Sequence, residues 1–397
     1  MEGVNVVLGV TGGIAVYKAC DLVSRLKKMG ANIDVIMTQS ATEFVAPLTF
    51  QSLALNRVVT DMFEEPKTWE IEHISLAKKA NIFVIAPATA NVIGKIASGI
   101  ADDMLTTTVM ATRAPVLIAP AMNTQMYENP IVQGNIEKLK KLGYHFVEPD
   151  SGRLACNDIG KGKLAQPEEI LRQIQKILYP KKDLIGRRVV ITAGPTAEAI
   201  DPVRYITNHS SGIMGYTLAD VAAMRGADVT LITGPTALDL PKDVSVVPVR
   251  TAIEMASAVM THKSEADIFI ATAAVADYRP LEVADNKIKK QDGDVSLLLT
   301  RNPDILYTVG QEKGDLYTVG FSVETEHVIE NSRAKLEKKN ADLLVVNDVT
   351  KPGAGFGTST NIVTFLARDG RMIEYPIMTK REVAENILDF VVQDMGR

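Results

Sequence analysis

The sequence predicts an α/β protein made of two doubly wound domains on mainly parallel sheets. Three observations predict it. Short, unbroken apolar runs recur along the chain, as expected for strands buried on both faces of a helix-covered sheet. Two of these runs open in the same way: Val4–Val10 is followed by Thr11-Gly12-Gly13, and Arg188–Thr192 by Ala193-Gly194-Pro195-Thr196. A strand, a glycine-containing turn and a helix begin a βαβ unit. Finally, 397 residues exceed what one ordinary core holds, since domains run to about 100–200 residues each.

In the first half, the pattern Ala15–Lys28 is helical, and Asn32–Thr38, Ile82–Ala86, Pro115–Ala119 and His145–Val147 read as strands. Helices are expected over Ile136–Leu142 and around Val92–Ala101. The helix Glu168–Leu178 ends at Tyr179-Pro180-Lys181-Lys182-Asp183, where proline and clustered charge mark a boundary. The domains are therefore placed at 1–180 and 186–397. In the second half, Asp228–Thr233, Ile268–Ala274 and Leu343–Val346 are buried strands, and Met214–Arg225 is a helix. Asn361–Ala367 and Met372–Tyr375 alternate like an antiparallel hairpin at a sheet edge, and Thr379–Val392 reads as an amphipathic closing helix.

The net charge of -5 gives no basic face for nucleic acid. Polyanionic ligands must be held by helix N-termini and single cations. Cys20 and Cys156 are the only cysteines. That is no disulfide framework, so a reducing cytoplasm is expected. The opening MEGVNVVLGVTGG has no basic leader and reads as the first strand. No run approaches the roughly 18 apolar residues of a membrane helix. Small-molecule partners are expected, with neither nucleic acid nor membrane.

Three segments of the first half carry candidate chemistry. The glycines Gly12 and Gly13 open a helix, where exposed N–H groups can hold a phosphate or can make a plain βα turn. Thr89 and Asn91 follow the strand Ile82–Ala86, where ligands of open sheets bind and where an N-cap is also at home. The segment Pro120-Ala121-Met122-Asn123-Thr124-Gln125-Met126 follows the next strand.

This last segment resembles the PxMNxxMW motif of the homo-oligomeric flavin-containing cysteine decarboxylases, with Tyr127 at the usual Trp position. His73, in Glu72-His73-Ile74-Ser75, matches that family's histidine, and the segment from Gly152 to Gly162 resembles its flap with the reactive Cys156. The resemblance spans residues 3–178. It implies a flavodoxin-like domain in which FMN oxidises a cysteinyl thiol towards a thioaldehyde, so that carbon dioxide leaves, and the resulting enethiol is then reduced. It assigns Cys156 to proton supply, His73 to the oxidative step and Asn123 to the substrate carboxylate. Gly12, Gly13, Thr89, Asn91 and Met122 are expected to contact FMN. The family places FMN between subunits, which implies a homo-oligomer, trimer-based.

In the second half, Ser210, Ser211 and Gly212 precede a helix and can cradle an anion or simply cap it. Asp277 lies beyond a buried strand and before Asn286-Lys287-Ile288-Lys289-Lys290, a pairing suited to a metal–triphosphate. Lys335 and Lys339 share one helix face. The GPTxExIDPVRxIxNxSSG pattern from Gly194, then AAVADY, KIKK, NPDIL and the Gly320-Phe321 pair resemble the phosphopantothenate–cysteine ligases over residues 186–397. This implies a Rossmann-like domain in which the carboxylate of 4'-phosphopantothenate attacks CTP, forming an acyl-cytidylate from which cysteine displaces CMP. Ser211, Gly212, Ala273, Asp277, Lys287, Pro303, Asp304, Ile305, Leu306, Phe321, Lys335 and Lys339 are expected at the nucleotide. Asp277 is expected to hold Mg²⁺, Asn208 to act at the acyl-cytidylate, and Arg204 to bind the substrate anion.

One position departs from the pattern: the usual SSGKMG reads Ser210-Ser211-Gly212-Ile213-Met214-Gly215 here, without the lysine. The combined expectation is a bifunctional enzyme making 4'-phosphopantetheine. Two alternatives stand beside it: a flavin decarboxylase with an impaired ligase domain, and a regulatory flavin-binding protein.

Overall fold

The protein is described by a computed structural model over residues 1–63, 71–153, 159–290, 295–324, 328–348 and 360–396. It divides into two compact units, Met1–Tyr179 and Pro180–Arg397.

The first unit carries β1 (Asn5–Val10), β2 (Asn32–Met37), β3 (Val58–Val59), β4 (Ile82–Ala88), β5 (Val116–Pro120) and β6 (His145–Phe146) in one parallel sheet of order β3-β2-β1-β4-β5-β6. Apart from the two-residue β3, the strands run in the flavodoxin order 2-1-3-4-5. Every residue of β4 is buried, which is what an unbroken apolar run predicts for a central strand. The helix Val16–Lys28 lays Leu22, Val23 and Leu26 on one face of the sheet, all fully buried, each contributing about 1.5–3 kcal/mol. Cys20 is half-buried against the same core, and burial pushes its thiol pKa up. An antiparallel hairpin, β7 (Asp150–Arg153) and β8 (Ile159–Lys163), follows the sheet.

The second unit contains β9 (Arg188–Ala193), β10 (Ala197–Ala199), β11 (Tyr205–Thr207), β12 (Asp228–Thr233), β13 (Ser245–Pro248), β14 (Ile268–Ala271), β15 (Tyr278–Pro280), β16 (Leu299–Arg301), β17 (Tyr317–Glu324), β18 (Leu343–Asp348), β19 (Thr360–Asn361), β20 (Val363–Ala367), β21 (Met372–Glu374) and β22 (Met378–Thr379). The main sheet runs β13-β12-β9-β14-β17-β18-β20-β21. Its first six strands are parallel in the Rossmann order 3-2-1-4-5-6. The expected hairpin, β20 with β21, completes the edge antiparallel. The closing helix Lys380–Met395 begins with a capping box between Thr379 and Glu382 and buries Val383, Ile387, Leu388 and Val391.

Some elements lack a clear sequence signal. The helix Met104–Ala111 has buried residues over most of its surface, including Thr106 and Thr108, so it shows no amphipathic period. In β17, Gly320 interrupts the apolar run. A Cβ there would lie 2.5 Å from Leu306 Cδ2 and 3.0 Å from Leu344 Cδ1, so a larger residue would force these leucines to repack.

Candidate active sites

In the first unit the candidate site forms at the carboxyl ends of β1, β4 and β5, beside the point where the strand order reverses. Thr11 joins two of these ends. Its hydroxyl donates to the Pro87 carbonyl at 2.7 Å and accepts from the Thr89 N–H at 3.0 Å. Thr89 Oγ1 accepts from the Val92 N–H at 3.5 Å and so caps the helix Ala90–Ser98, on whose first turn Asn91 is exposed. At Gly12 a Cβ would lie 2.4 Å from Ser40 Cβ, whereas at Gly13 it would meet nothing within 4 Å. The turn is therefore packed beneath and open outward, and its N–H groups can receive an anion.

Past β5, the Met122 N–H donates to the Gly162 carbonyl of β8 at 3.0 Å. Asn123 Oδ1 accepts from the Gln125 N–H at 2.8 Å and caps the helix Thr124–Glu128. That bond fixes the amide plane, with its N–H₂ end on the opposite side. His73 is half-buried on the helix Glu72–Lys79 and shares no hydrogen bond with Thr11, Thr89 or Asn123. Cys156 lies outside the described residues.

Tyr127, at the usual Trp position, is 7% exposed and donates from its hydroxyl to Glu148 Oε2 at 3.3 Å. Lys161 of β8 reaches the same oxygen at 2.7 Å and sits 5.7 Å over the Tyr127 ring. The lysine hydrogen bond holds the Glu148 pKa below the usual carboxylate range, against the opposing effect of burial.

In the second unit the carboxyl ends of β14 and β17 open onto a cavity of about 570 Å³. Ala273, Asp277, Pro303, Asp304, Ile305, Leu306, Phe321, Lys335 and Lys339 line it. These sequence candidates come from four separate segments and meet only through the fold. Lys335 donates to Ser322 Oγ at 3.2 Å, and Lys339 pairs with Asp304 Oδ2. Asp304 Oδ1 accepts from the Tyr307 N–H at 3.1 Å, capping the helix Ile305–Gln311. Arg301 and Asn302 also line the cavity and were not predicted. Asn302 ties the wall together: its Nδ2 donates to Ala276 O at 2.8 Å and its N–H to Asp277 O at 2.8 Å.

Ser211, Gly212, Ala273 and Phe321 line a second cavity of about 170 Å³, together with Ile213. Ala273 and Phe321 belong to both, so the two cavities adjoin. Gly212 has a φ of 76°, and Gly215 lies against the sheet: a Cβ there would come within 2.5 Å of Ala193 Cβ and Thr272 Oγ1. Both positions therefore require glycine for the helix Ile213–Met224 to start where it does.

Three candidates lie outside these cavities. Asn208 donates from Nδ2 to Ala274 O at 3.3 Å and Val275 O at 3.1 Å, which ties it to the cavity wall. Arg204 donates to Asp201 Oδ2 and to Ile288 O, both at 3.1 Å. Asp201 in turn accepts from the Ile288 N–H at 3.1 Å. The pair thus anchors the loop that carries the exposed Lys287. Burial works against the charged form of Asp201, but the N–H groups of Val203, Ile288 and Arg204 outweigh it and lower its pKa.

Among the described residues, no group of three or more His, Cys, Asp or Glu side chains could hold a metal ion. Asp277 fits Mg²⁺ only as one carboxylate beside phosphate oxygens, which is a common arrangement for that ion. No helix of the described residues is long and apolar enough to cross a membrane.

Comparison with known proteins adds to this geometry. Residues 1–179 match the family model described as Flavoprotein, and residues 184–395 match the DNA/pantothenate metabolism flavoprotein C-terminal domain. The Coenzyme A biosynthesis bifunctional protein CoaBC of Bacillus subtilis (strain 168) is 53% identical over 387 residues, covering 97% of this chain and 95% of the relative. The protein of the same name from Vibrio cholerae serotype O1 (strain ATCC 39315 / El Tor Inaba N16961) is 44% identical over 398 residues, covering 100% and 99%. A solved C-terminal domain of a Coenzyme A biosynthesis bifunctional protein CoaBC is 44% identical and covers 54% of this chain and 99% of its own, with a TM-score of 0.48.

Proposed function

The chain belongs to the family of coenzyme A biosynthesis bifunctional proteins, and from that premise we propose how its residues divide the work. The enzyme is both a ligase and a carboxy-lyase: it joins cysteine to 4'-phosphopantothenate and decarboxylates the product to 4'-phosphopantetheine. We assign the flavin-dependent decarboxylation to the first unit and the nucleotide-driven ligation to the second.

In the first unit, the Gly12–Gly13 turn would hold the cofactor's phosphate, and Thr89, Asn91 and Met122 would be further contacts to FMN. FMN, when bound, supplies the oxidation of the substrate thiol and the later return of those electrons. Asn123 donates from Nδ2 to the substrate carboxylate, a direction that its Oδ1 cap favours. His73 accepts the thiol proton, and Cys156 returns a proton to the enethiol carbon. Ile14 and Tyr17 beside the turn are 62% and 61% exposed, and Phe44 and Leu48 are 50% and 68% exposed. Exposed apolar side chains around a cofactor mouth support a subunit interface there, and we infer a trimer-based homo-oligomer working in the cytoplasm.

In the second unit, the single observation that carries the reading is the convergence of Asp277, the 303–306 turn, Phe321, Lys335 and Lys339 on one cavity. Its size, about 570 Å³, lies in the usual range for small-molecule sites of about 300–1,000 Å³. The 303–306 turn and Phe321 hold the base of CTP. Lys335, Lys339, Lys287 and a Mg²⁺ ion on Asp277 offset the triphosphate charge. An oxygen of the substrate carboxylate attacks the α-phosphorus and pyrophosphate leaves. The cysteine nitrogen then attacks the acyl carbon, CMP leaves, and the amine proton passes to solvent. Asn208 steadies the wall at which this exchange occurs, and Arg204 sets the loop of Lys287.

Two variants test the division. Asn123→Ala should abolish carbon dioxide release from 4'-phosphopantothenoylcysteine but leave its synthesis intact. Asp277→Asn should do the reverse. A variant that stops both reactions equally would overturn the assignment.

A further inference from the structure

Tyr127, where the motif usually carries Trp, has no task in either reaction, and neither has the charge pair beside it. Glu148 Oε2 accepts from the Tyr127 hydroxyl at 3.3 Å and from Lys161 Nζ at 2.7 Å. The Lys161 ammonium also stands 5.7 Å over the Tyr127 ring, within reach of a cation–π contact. Lys140 Nζ lies 3.5 Å from the other Glu148 oxygen, so this carboxylate is charged and held between two ammonium groups.

The cluster stands where two pieces of backbone meet. Lys161 lies in β8 between Gly160 and Gly162, and Tyr127 lies in the helix Thr124–Glu128 that Asn123 caps. At Gly160 a Cβ would lie 2.6 Å from Thr124 Cγ2, and at Gly162 it would lie 2.4 Å from the Met122 carbonyl oxygen. β8 therefore rests its bare backbone on residues 122–124, an approach that the two glycines permit. Hydrogen bonds hold this contact thinly. The Met122 N–H donates to the Gly162 carbonyl at 3.0 Å, but Thr124 Oγ1 is buried without a partner among the described residues. The Lys161 side chain adds a restraint. Its stem starts in β8, and its ammonium ends on a carboxylate that Tyr127 of the helix also binds. One charge thus ties the strand to the helix on which Asn123 is oriented.

Resting on the decarboxylase reading, in which Asn123 holds the substrate carboxylate, we propose that Lys161 is a positioning residue of that reaction. Latched to Glu148 and Tyr127, it holds β8 against residues 122–124 and so sets where Asn123 Nδ2 meets the carboxylate. Tyr127 takes part through its hydroxyl. The side chains of Lys161 and Glu148 keep 43% and 58% of their exposure, so the restraint is worth a few-fold in affinity.

The test measures carbon dioxide release from 4'-phosphopantothenoylcysteine by the flavin-loaded full chain, with no CTP or cysteine added. Two inhibitors without a thiol probe the site. 4'-Phosphopantothenoylserine keeps the carboxylate, and 4'-phosphopantothenoylethanolamine lacks it. Lys161→Met and Glu148→Gln should each weaken inhibition by the serine compound about three- to fivefold, as loss of a partly exposed ion pair predicts. Inhibition by the ethanolamine compound should not change. Lys161→Arg should keep the wild-type value, and Tyr127→Phe should cost about twofold. Flavin content should match wild type in all four variants. An equal loss with both inhibitors would make the cluster scaffold alone and overturns the proposal. No loss with either inhibitor overturns it too, as does Lys161→Arg behaving like Lys161→Met. A wild-type chain that releases no carbon dioxide overturns the decarboxylase reading itself, and the proposal falls with it.

Discussion

Thr11 donates a 2.7 Å hydrogen bond from its hydroxyl to the carbonyl of Pro87, which also accepts the Thr11 N–H at 3.3 Å, and the two bonds join the carboxyl end of β1 to that of β4. The same hydroxyl accepts from the Thr89 N–H, so one buried group sets both the glycine turn and the cap of the following helix. Thr11→Val should leave the Thr89 N–H without its acceptor and the Pro87 carbonyl with only the Thr11 N–H, at a cost of about 1–3 kcal/mol. The expected result is a lower unfolding midpoint and a lower ratio of flavin to protein absorbance after purification. An unchanged flavin content would show that the turn does not hold the cofactor.

Asp304 serves the nucleotide cavity twice, as helix cap and as the partner of Lys339. Asparagine caps as well as aspartate, whereas alanine costs about 1 kcal/mol. Asp304→Ala should therefore destabilise the second unit by about that amount, and Asp304→Asn should not. Lys339→Met should raise KM for CTP about tenfold or more, with stability nearly unchanged. Urea titration and initial rates read the two effects separately.

Arg225 is fully buried and is held by Asp183 at 2.5 Å, by Asp389 at 2.8 Å and by Glu385 at 3.8 Å. It thereby fastens the first residues of the second unit to the closing helix that carries Lys380. The carboxylates keep 26–40% of their exposure, so water screens part of the interaction. Arg225→Met should cost about 1–3 kcal/mol, measured as an earlier denaturation of the second unit. A loss below about 0.5 kcal/mol would show the network to be ornamental.

Asp201 gives a pH dependence of known sign. Its folded pKa lies below the unfolded value of about 3.9. Its stabilisation is therefore complete above that value and is lost as the pH falls through the lower folded pKa. Asp201→Asn should flatten the acid limb of stability below about pH 4. At neutral pH it should raise KM for CTP, because the loop of Lys287 loses its anchor. Circular dichroism melts from pH 2.5 to 6 would show either a flattened limb or an unaltered one, and the second result removes Asp201 from this role.

Much of this architecture was legible in the sequence because parallel strands advertise themselves. Among their buried residues, β1 and β4 are apolar throughout, β9 and β12 are apolar except for Thr192 and Thr233, and glycine turns follow β1, β9 and β12. The antiparallel edge of β20 and β21 was legible through alternation. What stayed hidden is what only the fold brings together. β17 is broken by Gly320, whose reason is the packing of Leu306 and Leu344 against it. Lys380 reads as the polar start of an amphipathic helix, and nothing in its neighbourhood announces that it ends in the cavity of Ile213. Arg301 precedes the NPDIL motif and Asn302 opens it, and neither carries a periodic signal of its own. Glu198 belongs to the motif, yet it is 2% exposed and accepts the Ala252 N–H at 2.9 Å. That is a bond of the scaffold, and a motif alone cannot separate scaffold from site.

The central claim is that one chain carries both reactions. The most direct measurement is mass spectrometry of the purified protein incubated with 4'-phosphopantothenate, cysteine, Mg²⁺ and CTP. The account predicts 4'-phosphopantetheine, with CMP and pyrophosphate formed in equal amounts. Accumulation of no acylated cysteine, alongside normal decarboxylation of supplied 4'-phosphopantothenoylcysteine, would contradict it.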